Sequence, residues 1–418
     1  MGQQVKVVGV LTLACLAFSC QTGSKRSGGT ADLLKDAPVV GEYVQVGNDK
    51  VFTLNPELLK DTISIPLSNF IDDLEVIKLD NRDEALVSQT GITISDNYIV
   101  THSSYPPQPY KLFDRKGNYI NTIGSIGQGP GEYKNVYDVQ IDEPANRVYL
   151  LPWMSRNLLA YDLKGVFIEA IPLNTSIPKG KFRVDSKNGT VSVVCLPFQN
   201  IKNVAWTQDM KGTLIDSIPS GHLALPFDFS NEVMVSRNDP QTFDVLISSV
   251  TPTRADTLYH FDTKSNRLRP VFTYDYKDKQ NIPWHMYSEW PEYFTGNTSG
   301  PPVAQHVEGG GTIYTPGETA YYIVDKESGK GSWFKMYNDF LGDEPIRWPN
   351  SAFANGYYLI NNEPGNLIPR LEKALKNPDL TEKRRKELTD LLNSIDENDN
   401  NYLLIGKLKS SNKNGAVF

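Results

Sequence analysis

The chain has 418 residues, of which 39% are hydrophobic and 22% charged, with 31 glycines and 27 prolines. That length exceeds what one hydrophobic core usually serves, so the chain must divide into domains or repeat a small unit, and its composition excludes a disordered polymer. With 42 basic against 49 acidic residues, the formal net charge of −7 supplies no positive field for phosphates and excludes nucleic acid as an expected partner.

The N-terminus reads as an export signal. Lys6 precedes an almost unbroken apolar run over residues 7–18, and Ala17-Phe18-Ser19-Cys20 closes it with small side chains at the −3 and −1 positions. The run is too short to cross a bilayer, and Lys6 stands where a myristoylation signal needs Ser or Thr. The segment resembles bacterial lipoprotein signals, with Leu16 one place upstream of the usual lipobox leucine. That resemblance implies cleavage before Cys20, diacylation of its thiol and a lipid anchor in a membrane. An ordinary secretory peptide is the alternative reading. The Gly-, Ser- and Lys-rich stretch after Cys20 suits a flexible tether. No acidic cluster follows Cys20, and the similarity to Bacteroidetes lipoproteins then implies the cell envelope, on the periplasmic face of the outer membrane. Three parts are expected: a signal peptide over 1–19, a tether over 20–40 and one folded unit over 41–418. With Cys15 removed and Cys20 lipidated, Cys195 stands alone and no internal disulfide can form.

The folded unit repeats itself. Residues 111–120 match residues 159–168 position by position, pairing Asp114 with Asp162, Gly117 with Gly165 and Tyr119 with Phe167 at an offset of 48. A weaker copy places Asp209 and Gly212 a further 47 residues on, and degenerate copies end at Asp262 and Asp325. In each copy an alternating strand ends in Asp, a short polar turn follows, and a second strand begins on apolar residues, which is the signature of a β-hairpin. The intervening stretches, such as 136–142 and 147–151, supply two more strands. Four strands in a period near 48 residues make one propeller blade. Five hairpins are visible, and residues 357–361 with 402–408 furnish a sixth blade. The early strand over 74–79 has no partner nearby, so it is expected to close the ring by pairing with the last blade. The β pattern breaks over 365–396, where leucines at helical spacing predict two inserted helices. The predicted fold is therefore all-β: a six-bladed propeller of four-stranded antiparallel blades, closed by an N-terminal strand and carrying a two-helix insert.

The run over 123–133, followed by residues 139–142, Val148-Tyr149, Arg156 and Tyr161-Asp162, resembles an NHL repeat. From about residue 62 to 410 the chain resembles the six-bladed β-propeller lipoproteins of the Bacteroidetes. The resemblance implies fold and address rather than a reaction, because propellers host enzymes, binders and scaffolds alike.

Several groups are candidates for a site. The glycine-rich run 127–133 lacks the Lys-Ser/Thr and following helix of a phosphate loop, so it reads as a tight connection between blades, from which Glu132 and Tyr133 would face a funnel. Residues 281–294 concentrate Trp284, Trp290 and Tyr293 among prolines with weak strand periodicity, and Trp153 with Arg156 marks a blade loop. On propeller loops such aromatics would stack on sugars or grip a peptide; as packing they would form a hydrophobic lid. The histidines show no HxH or HExxH spacing, so no cofactor is predicted, although His102, His260, His285 and His306 are the supply from which a divalent metal would be bound in the channel. No Gly-x-Ser-x-Gly elbow occurs. The expected function is a membrane-tethered, non-catalytic binding or scaffold propeller for a glycan, peptide or envelope protein. The alternative is a metal-assisted lyase or hydrolase with its site in the channel.

Overall fold

The computed structural model describes residues 33–88, 91–104, 107–239, 241–249, 256–300, 303–307, 311–315 and 317–409. Cys20 and the rest of the expected export signal lie outside these residues. Among them the strands form six antiparallel blades. Blade 1 comprises Gly91–Ile94, Tyr98–Ser104, Pro107–Asp114 and Tyr119–Ile123; blade 2 comprises Val136–Asp142, Arg147–Pro152, Ser155–Asp162 and Phe167–Ile177. Blade 3 is Gly180–Asp185, Thr190–Cys195, Asn203–Asp209 and Leu214–Pro219; blade 4 is Glu232–Met234, Asp244–Ser248, Thr257–Asp262 and Arg267–Tyr274. Blade 5 joins Trp284–Glu289, Tyr293–Ser299, Thr319–Asp325 and Gly331–Asn338, and blade 6 joins Phe353–Ala354, Tyr357–Asn362, Tyr402–Lys407 and the early strand Glu75–Lys78. The orphan strand does close the ring, with Val76 opposite Leu404 in antiparallel register.

The repeated hairpin explains the sequence signature. Asp114 Oδ1 accepts from the backbone N–H groups of Lys116 and Asn118 at 2.8 and 2.9 Å, Asp162 repeats this with Lys164 and Val166, and Asp209 with Lys211 and Thr213. Each turn ends on a glycine at positive φ, with values of 87, 79 and 85° for Gly117, Gly165 and Gly212. A side chain at Gly117 would overlap the carbonyl of Lys78, and one at Gly165 that of Thr122, so these glycines also let each hairpin abut the outer strand of the preceding blade. In blades 4 and 5 the turn is one residue longer and its positive-φ position is Asn266 or Gly329, which is why those copies look degenerate.

Large side chains fill the spaces between neighbouring blades. Tyr110, Tyr133 and Tyr161 lie between blades 1 and 2, Phe182 and Trp206 between blades 2 and 3, and Phe52, Phe272, Phe294 and Tyr322 between blades 4 and 5. Burying each such side chain stabilises the ring by about 1.5–3 kcal/mol. Alternation along the strands supplies these faces.

The residues before blade 1 form a strap. The hairpin Gly41–Val46 and Asp49–Leu54 joins blade 4, with Phe52 parallel to Phe272; Thr62–Pro66 runs parallel to Gly331–Asn338 in blade 5; Glu75–Lys78 completes blade 6. Leu34 and Val40 are buried, and Val40 N–H donates to Gly329 O at 2.8 Å, so the packed chain begins before the boundary expected at 41. The two predicted helices are present as α1, Pro364–Ala374, and α2, Glu382–Ser394, inserted in blade 6. Leu367 and Leu371 are buried, Arg370 forks onto Glu344 with contacts of 2.7 and 2.9 Å, and Thr381 caps α2 by accepting from Arg384 N–H.

Candidate functional site

Blade topology sorts the connections into two ends. The turns joining first to second and third to fourth strands lie at one end; the second-to-third turns and the links between blades lie at the other. Trp153, in the second-to-third turn of blade 2, therefore shares an end with Phe198 of blade 3 and with Phe227 and Phe229 in the link entering blade 4. Their rings touch: Trp153 to Phe229 at 5.8 Å between centroids, Phe227 to Phe229 at 4.8 Å, and Phe198 to both at 4.8 and 5.9 Å. Phe198 is buried, whereas Trp153, Met154, Phe227 and Phe229 are 43, 51, 65 and 42% exposed. The link is fixed from below, because Lys179 Nζ donates to the carbonyls of Phe229 and Asn231 at 2.7 and 2.9 Å. The result is a rigid apolar platform built from three blades.

The other sequence candidates divide. Arg156 is exposed near Trp153, and Trp284 is half-buried in the first strand of blade 5. Trp290 and Tyr293 are core residues: Trp290 meets Phe70 at 4.8 Å and Phe353 at 4.5 Å, and Tyr293 meets Phe70 at 5.9 Å. The segment of weak strand periodicity carries the first strand of blade 5 and the start of its second, and its Trp290 and Tyr293 are buried as large inner-strand residues are. Tyr133 is also internal, its hydroxyl donating to Ile123 O at 2.6 Å and accepting from Tyr110 N–H at 2.8 Å. Glu132 faces its own loop, where Oε2 accepts from Gly129 N–H at 2.7 Å. The glycine-rich run is thus a blade link, pinned by a bond from Tyr161 Oη–H to Gly131 O. Phe227 and Phe229 went unnoticed in the sequence; their signal is the alternation of Leu225, Phe227 and Phe229 with Pro226, Asp228 and Ser230 in a link between repeats.

The inner strands enclose a central cavity of about 520 Å³, with lining residues from all six blades. Blade 4 closes its turn end. The stretch between Glu232–Met234 and Asp244–Ser248 is longer than the corresponding stretch of the other blades, and within it Arg237 adopts a positive φ of 54°. From there Arg237 forks onto Asp138 of blade 2 at 2.5 and 3.1 Å and donates to Phe182 O of blade 3 at 3.0 Å. Ser236 and Asn238 bond to blades 5 and 6. Burial opposes ionisation of Asp138, but Arg237, Lys181 and the Phe182 N–H hold its carboxyl below the usual range. Lys181 Nζ lies 3.6 Å from Asp138 and donates to Tyr137 O at 3.3 Å, while burial pushes its ammonium down. Burial, aided by the Lys181 cation, lowers His102 to about 4, so this cavity-lining imidazole is neutral at pH 7. Burial raises Glu232, despite Lys179 at 2.9 Å, to about 7.

Among the described residues the metal candidates His102, His260 and His285 have separate surroundings. His102 faces the cavity. His260 Nε2 contacts Glu289 Oε2 at 2.5 Å; burial disfavours that carboxylate, yet His260 and Lys326 hold it below its ordinary value. His285 Nδ1–H donates to Pro283 O at 2.8 Å, with Nε2 3.5 Å from Asp256. The side chain of His306 lies outside the described residues, and among those described no cluster of three His, Cys, Asp or Glu side chains could hold a metal.

Fold and cavity together define a six-bladed β-propeller. A family model described as a domain of unknown function, DUF4934, matches residues 50–407, and the chain belongs to that family. Among solved structures, one described as an exported protein of Bacteroides fragilis NCTC 9343 is similar with a TM-score of 0.51 and 15% identity, over 84% of this chain and all of that one. A member of the DUF4221 family from Bacteroides vulgatus has a TM-score of 0.40 and 9% identity, over 82% of this chain and 98% of that one. At these identities the likeness concerns the fold alone. No curated protein matches the sequence.

Proposed function

We propose that this chain is a non-catalytic binding protein of the cell envelope, lipid-anchored through Cys20, that grips apolar side chains of a peptide or envelope protein at the connection end of its propeller. The observation that carries the reading is the platform of Trp153, Met154, Phe227 and Phe229, which is exposed yet held in place by Phe198 and Lys179. Rigid aromatics bury large area at low entropic cost. The phenylalanines offer no hydrogen bonds for sugar hydroxyls, and the patch adds only the Trp153 indole N–H and the weakly accepting Met154 sulfur, so it favours a protein segment over a glycan. Glycine-dependent hairpins and links similar to NHL repeats supply the stiff frame. The small residues before Cys20 and the absence of acidic residues just after it support anchoring on the periplasmic face of the outer membrane.

The test is to screen arrayed envelope peptides and glycans with the wild-type protein and with a Trp153→Ala/Phe227→Ala variant. Peptide binding that falls roughly tenfold or more in the variant is expected; glycan binding alone, or peptide binding indifferent to both changes, would sink the reading. Mass spectrometry of the mature N-terminus checks the anchor separately: a diacylated Cys20 is expected, and cleavage elsewhere without lipid would remove it.

A further inference from the structure

We propose that the central cavity is a binding site for a small hydroxylated carboxylic acid of the sugar-acid class, its carboxylate against Lys181 and its hydroxyls against Asn350 and Ser288. This rests on the channel and is independent of the aromatic platform. A volume of about 520 Å³ suits a monosaccharide-sized molecule.

Two lining side chains point to an occupant. Asn350, 7% exposed, meets no protein partner with either its amide nitrogen or its oxygen, and Ser288, 8% exposed, meets none with its hydroxyl. Leaving such groups unpaired costs about 1–3 kcal/mol each, and buried polar atoms in native proteins are nearly always satisfied. Asn350 offers both a donor and an acceptor, which matches a hydroxyl that donates and accepts.

The opposite wall carries charge. In a ring of six, blade 3 with Lys181 faces blade 6, whose incoming link carries Asn350. An ammonium has three protons; Lys181 Nζ makes the 3.3 Å bond to Tyr137 O, approaches Asp138 at 3.6 Å and lies 5.0 Å from the centre of the Tyr137 ring, which leaves its hydrogen bonding incomplete. Asp138 is itself engaged in two contacts by Arg237. The other acids facing the cavity also have partners: Glu232 has Lys179, and Asp244 accepts the N–H groups of Ser236 and Arg237 at 2.8 and 3.0 Å. An incoming carboxylate thus meets a cation with hydrogen-bonding capacity to spare. Apolar lining such as Val136 and Leu258 suits the C–H face of a sugar ring.

The experiment is calorimetric titration of the full chain with D-glucuronate, D-gluconate and D-glucose. One-to-one binding of at least one acid is expected, with glucose weaker by roughly tenfold. Lys181→Met should abolish the preference for the acid, and Lys181→Arg should restore part of it. Asn350→Ala and Ser288→Ala should weaken acid and neutral sugar by similar factors, with thermal unfolding confirming that each variant is folded. The proposal is overturned if neither acid binds saturably up to about ten millimolar, if glucose binds as well as both acids, or if the Lys181 and Asn350 variants bind like wild type.

Discussion

Blades 1 to 3 and blades 4 to 6 are built differently. The first three take all their strands from consecutive stretches of chain and share one hairpin, an aspartate that caps the turn and a glycine that lets it abut the neighbour. The last three depart from that turn and are clasped by the strap of residues 33–78, which adds strands to blades 4, 5 and 6 in order. One half coheres through close backbone packing between repeats, the other through strands contributed from a distance. The contrast shows that repeat fidelity in sequence tracks where the repeat alone must hold the ring.

The bluntest way to break this comparison is to delete residues 33–79. Blade 6 then loses its outer strand and blades 4 and 5 their flanks, and the expected result is loss of cooperative thermal unfolding by circular dichroism; a deletion variant that melts as sharply as wild type would show the strap to be dispensable.

Next in size is Gly165→Val. Positive-φ strain combined with overlap at the Thr122 carbonyl should cost about 4 kcal/mol in urea unfolding. Gly47→Ala in the strap hairpin, also at positive φ but with open space where its Cβ would sit, should cost only about 1 kcal/mol. Equal losses would mean that turn conformation, not the close approach of blades, explains the conserved shape of the hairpin copies.

Arg237→Met tests the one turn of blade 4 that reaches into blades 2 and 3. Stranding the Asp138 carboxylate should cost about 3 kcal/mol, and adding Asp138→Leu should recover part of it, measured as a double-mutant cycle in urea.

Acidity probes blade 1 alone. The neutral imidazole of His102 is favoured in the fold, with its pKa lowered from 6.5 to about 4. Between those values the unfolded chain binds more protons, so this contribution is fully present above pH 6.5 and is lost as pH falls to about 4. Glu232, raised to about 7, acts in the opposite direction over part of this range, so the measurement is the difference between wild type and His102→Gln, in which Glu232 cancels. That difference should shift against the wild type by up to about 3 kcal/mol on acidification, and a pH-independent difference would refute it.

The smallest effect is expected at Phe227→Ala, below about 1 kcal/mol in stability because the ring is mostly exposed. A larger loss would make the platform part of the core rather than a surface for a partner.

How much of this was legible follows from how each feature is encoded. The blades were readable because the hairpin is local: Asp162 and its glycine lie three residues apart and recur at fixed spacing. Ring closure was readable from a strand without a neighbour, and the helices from leucine spacing. The cavity was not, because Asp138, Lys181, Arg237, Ser288 and Asn350 come from separate blades or links, and no spacing in sequence encodes their meeting. Trp290 and Tyr293 misled because an aromatic between blades and an aromatic on a loop look alike until the strands are placed. The platform was half legible: Trp153 was found, but Phe227 and Phe229 lie where the repeat has lost its register.

The strap also sets an order of events. Its strands are synthesised before any blade, yet their partners, Arg267–Tyr274, Gly331–Asn338 and Tyr402–Lys407, all lie in the second half of the chain. Beyond its own hairpin the strap must therefore wait for its blades: Phe52 for Phe272, 220 residues on, Ile63 for Phe334, 271 residues on, and Val76 for Leu404, 328 residues on. A chain that stops short leaves blade 6 without its third strand and the strap without a seat, exposing sheet edges to proteases and to other chains. The ring in this way reports on its own completeness: only a chain carried through to its final strand can lock.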